Sequence, residues 1–287
     1  MIIALIPNAS KAQSRSISIG IRDFLIQHGV TVVIEDSEAE SLGAKTLSSI
    51  DPKTVDFTIS LGGDGTILRL VHRHPELEAP LLGINLGGLG FMADIPISDI
   101  YSSLKDLLEG KYRLSKRIMM EGKSPSGEIC YAVNELVMHR AHNPCLVDLS
   151  ISVDGTYLNT FSADGVIIST PSGSTAYSLA SGGPILTPEL DAFVITPISP
   201  HTISNRPIVL MPKQEIQIQY TSEHLPVEIT QDGFPKFSMH TGDTFKISKS
   251  KRSFTLVNMP YHDYFSTLRT KLGWSGKLKA DTSHDLA

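Results

Sequence analysis

Cysteine is scarce in this chain of 287 residues, which holds only Cys130 and Cys145. Two thiols so placed build neither a disulfide framework nor a metal-ligand spacing, which suits a reducing cytoplasm. Charge is modest as well. Charged residues make up 19% of the chain and the net charge is −5. No run of Lys and Arg relieves that balance, so a broad nucleic-acid surface is excluded. Long apolar runs are missing too: no segment approaches the ~20 residues that span a bilayer. The opening Met1-Ile2-Ile3-Ala4-Leu5-Ile6-Pro7 is apolar but short, and lacks the basic flank of a signal peptide. We therefore expect a cytoplasmic protein with no membrane and no nucleic-acid partner. Absent, finally, are His-Glu-x-x-His, Cys-x-x-Cys, a nucleophile elbow and a Walker P-loop. The site carries no metal-ligand signature of its own.

What is present is 41% hydrophobic residues, enough in a chain of 287 for two cores. The first hundred residues alternate strand and helix signals. Strands are expected at Ile2 to Ile6, Val30 to Ile34, Val55 to Leu61 and Pro80 to Asn85. Between them, Ile17, Ile21, Phe24, Leu25 and His28 share one helical face that Gly29 ends, and a further helix runs from Ser98, as N-cap, to Glu109. Such alternation argues for a parallel sheet covered by helices. Past residue 117 the pattern turns to short β-like runs. Ile129 to Val133 and Leu136 to Met138 are β-like, with Asn134-Glu135 interrupting an otherwise apolar strand from Tyr131 to Met138. Asp154-Gly155 between alternating runs signals a hairpin. Further strands are expected at 166–169, 193–196, 207–211, 215–220, 245–248 and 254–257. Tyr261 to Trp274 is helical again and is expected to return to the first domain, while the polar stretch from Ser275 is expected to be loose. The expected organisation is an α/β domain with a Rossmann-like parallel sheet over 1–117, an all-β, sandwich-like domain over 118–259, and a closing segment over 260–287.

The densest chemical signal is Gly62-Gly63-Asp64-Gly65-Thr66, set between an apolar strand and a helix. Glycines let a backbone approach a ligand, and a helix N-terminus favours phosphate. A carboxylate in such a turn is costly unless it meets a metal ion or takes a proton, so phosphoryl chemistry is the reading. A second signal is the hydroxyl-rich run from Ser169 to Pro184. Tyr177 there suits stacking on a base, with Ser172, Thr175 and Ser178 toward ribose or phosphate; a purely structural loop is the alternative. Asn134-Glu135 interrupts its strand with a carboxylate that either faces solvent by alternation or accepts ribose hydroxyls. Asp164 is ambiguous in the same way. Gly88-Leu89-Gly90-Phe91-Met92-Ala93 fits a loose dinucleotide pattern, but no acid ends a following strand. It reads better as a tight turn.

Together these pieces resemble the NAD kinase family. The resemblance is carried by Gly62–Thr66, Asn134-Glu135, Ala163-Asp164-Gly165, Thr170 to Ser178, Gly182-Gly183-Pro184 and Pro200-His201-Thr202 leading to Arg206-Pro207. Asn85 to Phe91 and Thr270 to Trp274 extend it along nearly the whole chain. It implies transfer of the ATP γ-phosphate to the 2′-hydroxyl of the adenosine ribose of NAD, giving NADP, with Mg²⁺ or another divalent cation. Asp64 would then be the catalytic acid/base. Gly65, Arg69, Asn134, Glu135, Asp164, Thr175, Ala176, Tyr177, Ser178 and Ala180 would bind the nucleotides. A homo-oligomer, dimer or tetramer, is implied as well. The chain departs from the family's habit at Ser162, where a basic residue is common, at Phe234, where Gln is common two residues after Asp232, and over 140–145. A lipid or sphingoid-base kinase shares the glycine turn and would need an apolar acceptor pocket; a non-catalytic dinucleotide sensor would have lost Asp64.

Overall fold

The computed structural model describes residues 1–274 except 89, 203 and 212–214. The chain divides into two compact units: Met1–Leu70, Ala79–Leu114 and the chain from Val257 form the first, and Val71–Glu78 with Ser115–Leu256 the second.

The first unit contains β1 (Ile2–Pro7), α1 (Ser14–Gln27), β2 (Thr31–Ile34), α2 (Asp36–Ala39), β3 (Lys45–Thr46), β4 (Phe57–Gly62), most of α3 (Asp64–Arg73), β5 (Leu81–Asn85), β6 (Ile95–Pro96) and α4 (Ile100–Leu108). Its strands pair in parallel in the order β3-β2-β1-β4-β5-β6. Every residue of β4 and β5 is buried, as strands covered on both faces require. Ile21 and Leu25 of α1 and Leu104 and Leu107 of α4 join Ile3, Leu5, Ile59 and Ile84 in one core. The entry to α4 differs from expectation. Residues Ile97–Asp99 make a short 3₁₀ turn, and Ser98 gives its hydroxyl to the Asp99 carboxylate at 2.7 Å instead of capping a helix.

The second unit is β-rich. It holds β7 (Arg113–Lys123), β8 (Ile129–Ala132), β9 (Glu135–His139), β10 (Val147–Val153), β11 (Thr156–Ala163), β12 (Gly165–Ser169), α5 (Tyr177–Ala180), β13 (Phe193–Ile198), β14 (Ile208–Leu210), β15 (Ile216–Tyr220), β16 (Val227–Gln231), β17 (Phe234–Met239) and β18 (Thr244–Asn258). Six strands form an antiparallel sheet in the order β14-β13-β12-β9-β16-β17. A second group runs β11-β10-β15-β18, with β7 beside β18 and β8 beside β7. Leu136, Met138, Val166 and Ile168 of the first sheet share a core with Leu149, Ile151, Ile218 and Phe245 of the second group. That is the sandwich arrangement, each strand turning alternate residues inward.

Asp154 and Gly155 take positive φ of 49° and 77° at the β10–β11 turn, as a two-residue Asp-Gly hairpin demands. Asp232 and Gly233 repeat it at β16–β17, with φ of 48° and 82°. The long strand β18 replaces two separate expected strands: the polar stretch at 249–253 stays on the ladder, because pairing uses backbone groups and leaves the outward face free to be charged. Strand β7 and the hairpin β16–β17 are additions to the sequence reading. The two β-like runs expected at 129–133 and 136–138 are β8 and β9, and the chain between them breaks at 133–134 for a reason given below. The chain closes with α6 (Tyr264–Leu272), capped by the Asp263 carboxylate on the Ser266 N–H at 2.9 Å and counted with the first unit. The expected loose tail lies outside the described residues. Among the described residues, no helix is long and apolar enough to cross a membrane.

Gly83 sits at the centre of β5, where an added Cβ would come within 2.7 Å of both Ala93 Cα and Met92 O. Gly83→Ala is expected to destabilise the protein by about 1–3 kcal/mol through overpacking. The check is a urea titration, with a lowered midpoint at unchanged slope; an unshifted midpoint contradicts it.

Candidate active site

In the first unit, β4 delivers the chain through Gly62-Gly63 into α3, whose first residue is Asp64. The half-buried Asp64 carboxylate does not point into empty space. Its Oδ2 accepts the Phe91 N–H at 2.8 Å, and its Oδ1 accepts those of Met92 and Ala93 at 3.0 and 2.9 Å. A Cβ at Gly90 would collide with this carboxylate, so a residue without one is needed there. Buried Asn85 shapes the same loop, giving Nδ2–H bonds to the carbonyls of Gly88 and Ala93 at 2.7 and 2.9 Å. The glycine stretch is therefore a cradle of amides for a carboxylate, as the tight-turn reading allows. Gly65 and Arg69 are exposed on α3.

In the second unit the chain breaks between β8 and β9 because another carboxylate seizes it. Asp232 Oδ1 accepts the N–H groups of Asn134 and Glu135 at 2.7 and 3.0 Å, and Oδ2 that of Val133 at 2.9 Å. His72 Nε2 lies 2.7 Å from Oδ2, and Gln231 Nε2 lies 2.7 Å from His72 Nδ1. Glu135 is only 6% exposed, and its Oε2 has no hydrogen-bond partner. Burial first, and the Asp232 charge second, push its pKa up to about 8.

Glu135 opens onto a cavity of about 470 Å³ lined also by Val137, His139, Arg140, Ala141, Asp164, Tyr177, Ile198, Thr230 and Gly233. The volume suits a small-molecule ligand. Arg140 Nε holds Asp164 Oδ1 at 2.8 Å, and a second guanidinium N–H reaches the Asn143 carbonyl at 2.6 Å. Tyr177 is 45% exposed, its ring free for a planar partner. Its neighbours differ. Ser178 is buried with its hydroxyl against that of Thr196 at 2.9 Å, and Thr175 bonds the Ser172 carbonyl at 3.3 Å. Thr170 and Ser174 likewise bond the carbonyls of Val133 and Pro171, at 2.6 and 2.7 Å. The hydroxyl-rich run thus uses these side chains to hold itself in shape. Thr175, Ala176, Ser178 and Ala180 are not among the lining residues, and Asn134 stands beside the cavity with its buried Oδ1 unpartnered.

Residues 3–112 match the family described as ATP-NAD kinase N-terminal domain, and residues 133–259 match ATP-NAD kinase C-terminal domain. The chain belongs to the NAD kinase family. It is 60% identical over 277 residues to the NAD kinase of Protochlamydia amoebophila, covering 96% of this chain and 99% of that one. The NAD kinase of Geotalea daltonii is 39% identical over 258 residues, covering 88% and 91%. Among solved structures, yeast NADH kinase complexed with NADH aligns with a TM-score of 0.85 at 25% identity, covering 98% of this chain and 89% of that one. An NAD kinase from Archaeoglobus fulgidus in complex with ATP shares the fold, with a TM-score of 0.74 at 24% identity, covering 96% and 100%.

Three residues of this candidate site had no role in the sequence reading. Arg140 lies in the span without a family match. His72 was one scattered histidine among ten. Asp232 had a local signal, the Asp-Gly pair, but its contact to residues about a hundred positions earlier is visible only in the fold. Glu135 generates a measurable consequence. Its folded pKa, about 8, lies above the ordinary 4.5, so the folded state takes up the proton first. The stabilisation is complete below the unfolded pKa and lost as pH rises through the folded one. Glu135→Gln is expected to flatten the fall in Tm between about pH 5 and 9, read by thermal denaturation. An unchanged slope would count against a raised pKa at Glu135.

Proposed function

We propose that the chain transfers the γ-phosphoryl group of ATP to the 2′-hydroxyl of the adenosine ribose of NAD, giving NADP. One observation carries the choice of acceptor: the buried Oε2 of Glu135, without a partner among the described residues, at the edge of a cavity that also holds Asp164 and Arg140. A buried acceptor without a donor is costly, so it calls for a ligand that brings one. Ribose hydroxyls do. A lipid acceptor would leave Glu135, Asp164 and Arg140 facing hydrocarbon, which disfavours a lipid or sphingoid-base kinase. A non-catalytic sensor has no use for Asp64, which this chain retains.

In the second unit, Glu135 and Asn134 take ribose hydroxyls, Tyr177 stacks on a base, and Asp164 accepts from the dinucleotide. Thr175, Ala176, Ser178 and Ala180 belong to the turn that presents Tyr177. In the first, Gly65 leaves room for close approach, Arg69 meets a phosphate, and Asp64 is the acid/base. A carboxylate has about four lone-pair sites. Two N–H donors engage Oδ1 and one engages Oδ2, so Oδ2 keeps a site for the hydroxyl proton. A carboxylate is a weak base toward an alcohol, and the proton leaves late, as the phosphoryl group passes through a loose transition state. Positioning then supplies much of the acceleration.

Among the described residues no group of three or more His, Cys, Asp or Glu side chains is placed to hold a metal ion. We assign Mg²⁺ or a similar cation to the phosphates of ATP, where it would offset their charge. The free state of Cys130 and Cys145 supports a cytoplasmic setting, and homo-oligomeric assembly completes the proposal.

The test is incubation of pure protein with NAD, ATP and Mg²⁺, with NADP read by a dehydrogenase-coupled assay. Asp64→Asn is expected to lower kcat by roughly 10²–10⁴ in a protein that remains folded. Activity kept within about tenfold would overturn the role of Asp64. Product from a sphingoid base but not from NAD would favour the lipid kinase.

A further inference from the structure

The Asp232 carboxylate is fully buried and accepts from four donors: the N–H groups of Val133, Asn134 and Glu135, and His72 Nε2. Every lone pair it offers is in use, so it has none for a ligand. The three amides lie where β8 has ended and β9 begins: Val133 and Asn134 fall between the strands, and Glu135 is the first residue of β9. His72 is in turn held by Gln231 Nε2 on its other ring nitrogen, with the Phe234 ring edge-on at 6.3 Å. Phe234 is the residue that departs from the family's habit.

We propose that Asp232, locked by His72, is a positioning residue for the dinucleotide: it fixes the backbone of Asn134-Glu135 so that the Glu135 carboxyl is aimed at the ribose. The proposal rests on the reading of Glu135 as the ribose contact. The geometry requires a carboxylate, because all four partners are donors. An amide in its place would turn an NH₂ group toward an N–H and leave buried groups unpaired. The same hairpin turn places Thr230 and Gly233 in the cavity wall. One short segment therefore builds the wall and holds the group that reads the ligand. Glu135 has no side-chain partner on Oε2, so its aim is set by its backbone. The Asp232 charge also contributes to the raised pKa of Glu135, which is a second route of coupling between the two.

The test is steady-state kinetics with NAD and ATP on five variants: Asp232→Asn, Glu135→Gln, the two combined, His72→Ala and His72→Gln. Asp232→Asn is expected to raise KM for NAD by about tenfold or more, with kcat and KM for ATP changed by less than about threefold. In the Glu135→Gln background the same substitution is expected to raise KM by less than about twofold, since the group it aims has gone. His72→Ala is expected to raise KM for NAD, and His72→Gln, which keeps a donor, to restore it. An unchanged KM for NAD in Asp232→Asn, or equal effects with and without Glu135, overturns the proposal, whatever happens to Tm. If Asp232→Asn does not fold, the two His72 variants decide: equal KM for NAD in both overturns it. Should the wild-type protein form no NADP, the acceptor assignment fails instead, and calorimetric NAD binding by the same variants reads the positioning role.

Discussion

Each unit of this protein depends on a carboxylate held by consecutive backbone amides. Charge removed from water is costly unless hydrogen-bonded donors replace the water, and both sites supply three N–H groups in a row. Asp64 takes those of Phe91, Met92 and Ala93; Asp232 takes those of Val133, Asn134 and Glu135. The bonds work in both directions. They satisfy an anion, and they satisfy amides of which all but that of Glu135 lie outside any helix or strand. A loop tied in this way has one conformation, which is what a site built on loops needs.

The two carboxylates then diverge in use. Asp232 is saturated by a fourth donor, His72, and acts only through what it holds. Asp64 accepts from three donors among the described residues and is half-buried, leaving one lone-pair site open. Glu135 completes the set by contrast. It is buried without a partner on one oxygen and carries a raised pKa. Three acids in one chain thus take three roles, separated by how many donors the fold supplies to each.

Much of the architecture was legible in local pattern. Parallel strands show as short apolar runs separated by helical spacing, and β1, β4 and β5 follow that rule with every interior residue buried. The Asp154-Gly155 hairpin was legible because only a few residues tolerate its positive φ. Strand β7 was not, since its burial alternates weakly and its first half is exposed. The interruption at Asn134-Glu135 showed in the sequence as two polar residues between β-like runs, but its cause did not: the Asp232 side chain, at the turn between β16 and β17, holds the backbone there. Within the site, Glu135 and Tyr177 were recognisable by residue type in an odd setting, and Ser178 looked the same as they did. Only its burial against Thr196 separates a hydroxyl that supports the loop from one open to a ligand.

The sequence by itself determined the fold class and the glycine turn around Asp64, because each rests on short-range patterns of apolar spacing and glycine, and its motifs carried the resemblance to the NAD kinase family. Tertiary structure alone decided which carboxylates are spoken for. A hydrogen bond between Asp232 and Glu135 crosses about a hundred residues of chain, and one between Asp64 and Ala93 about thirty. No local signal encodes such a partner; it exists only once strands and loops far apart in the chain have packed.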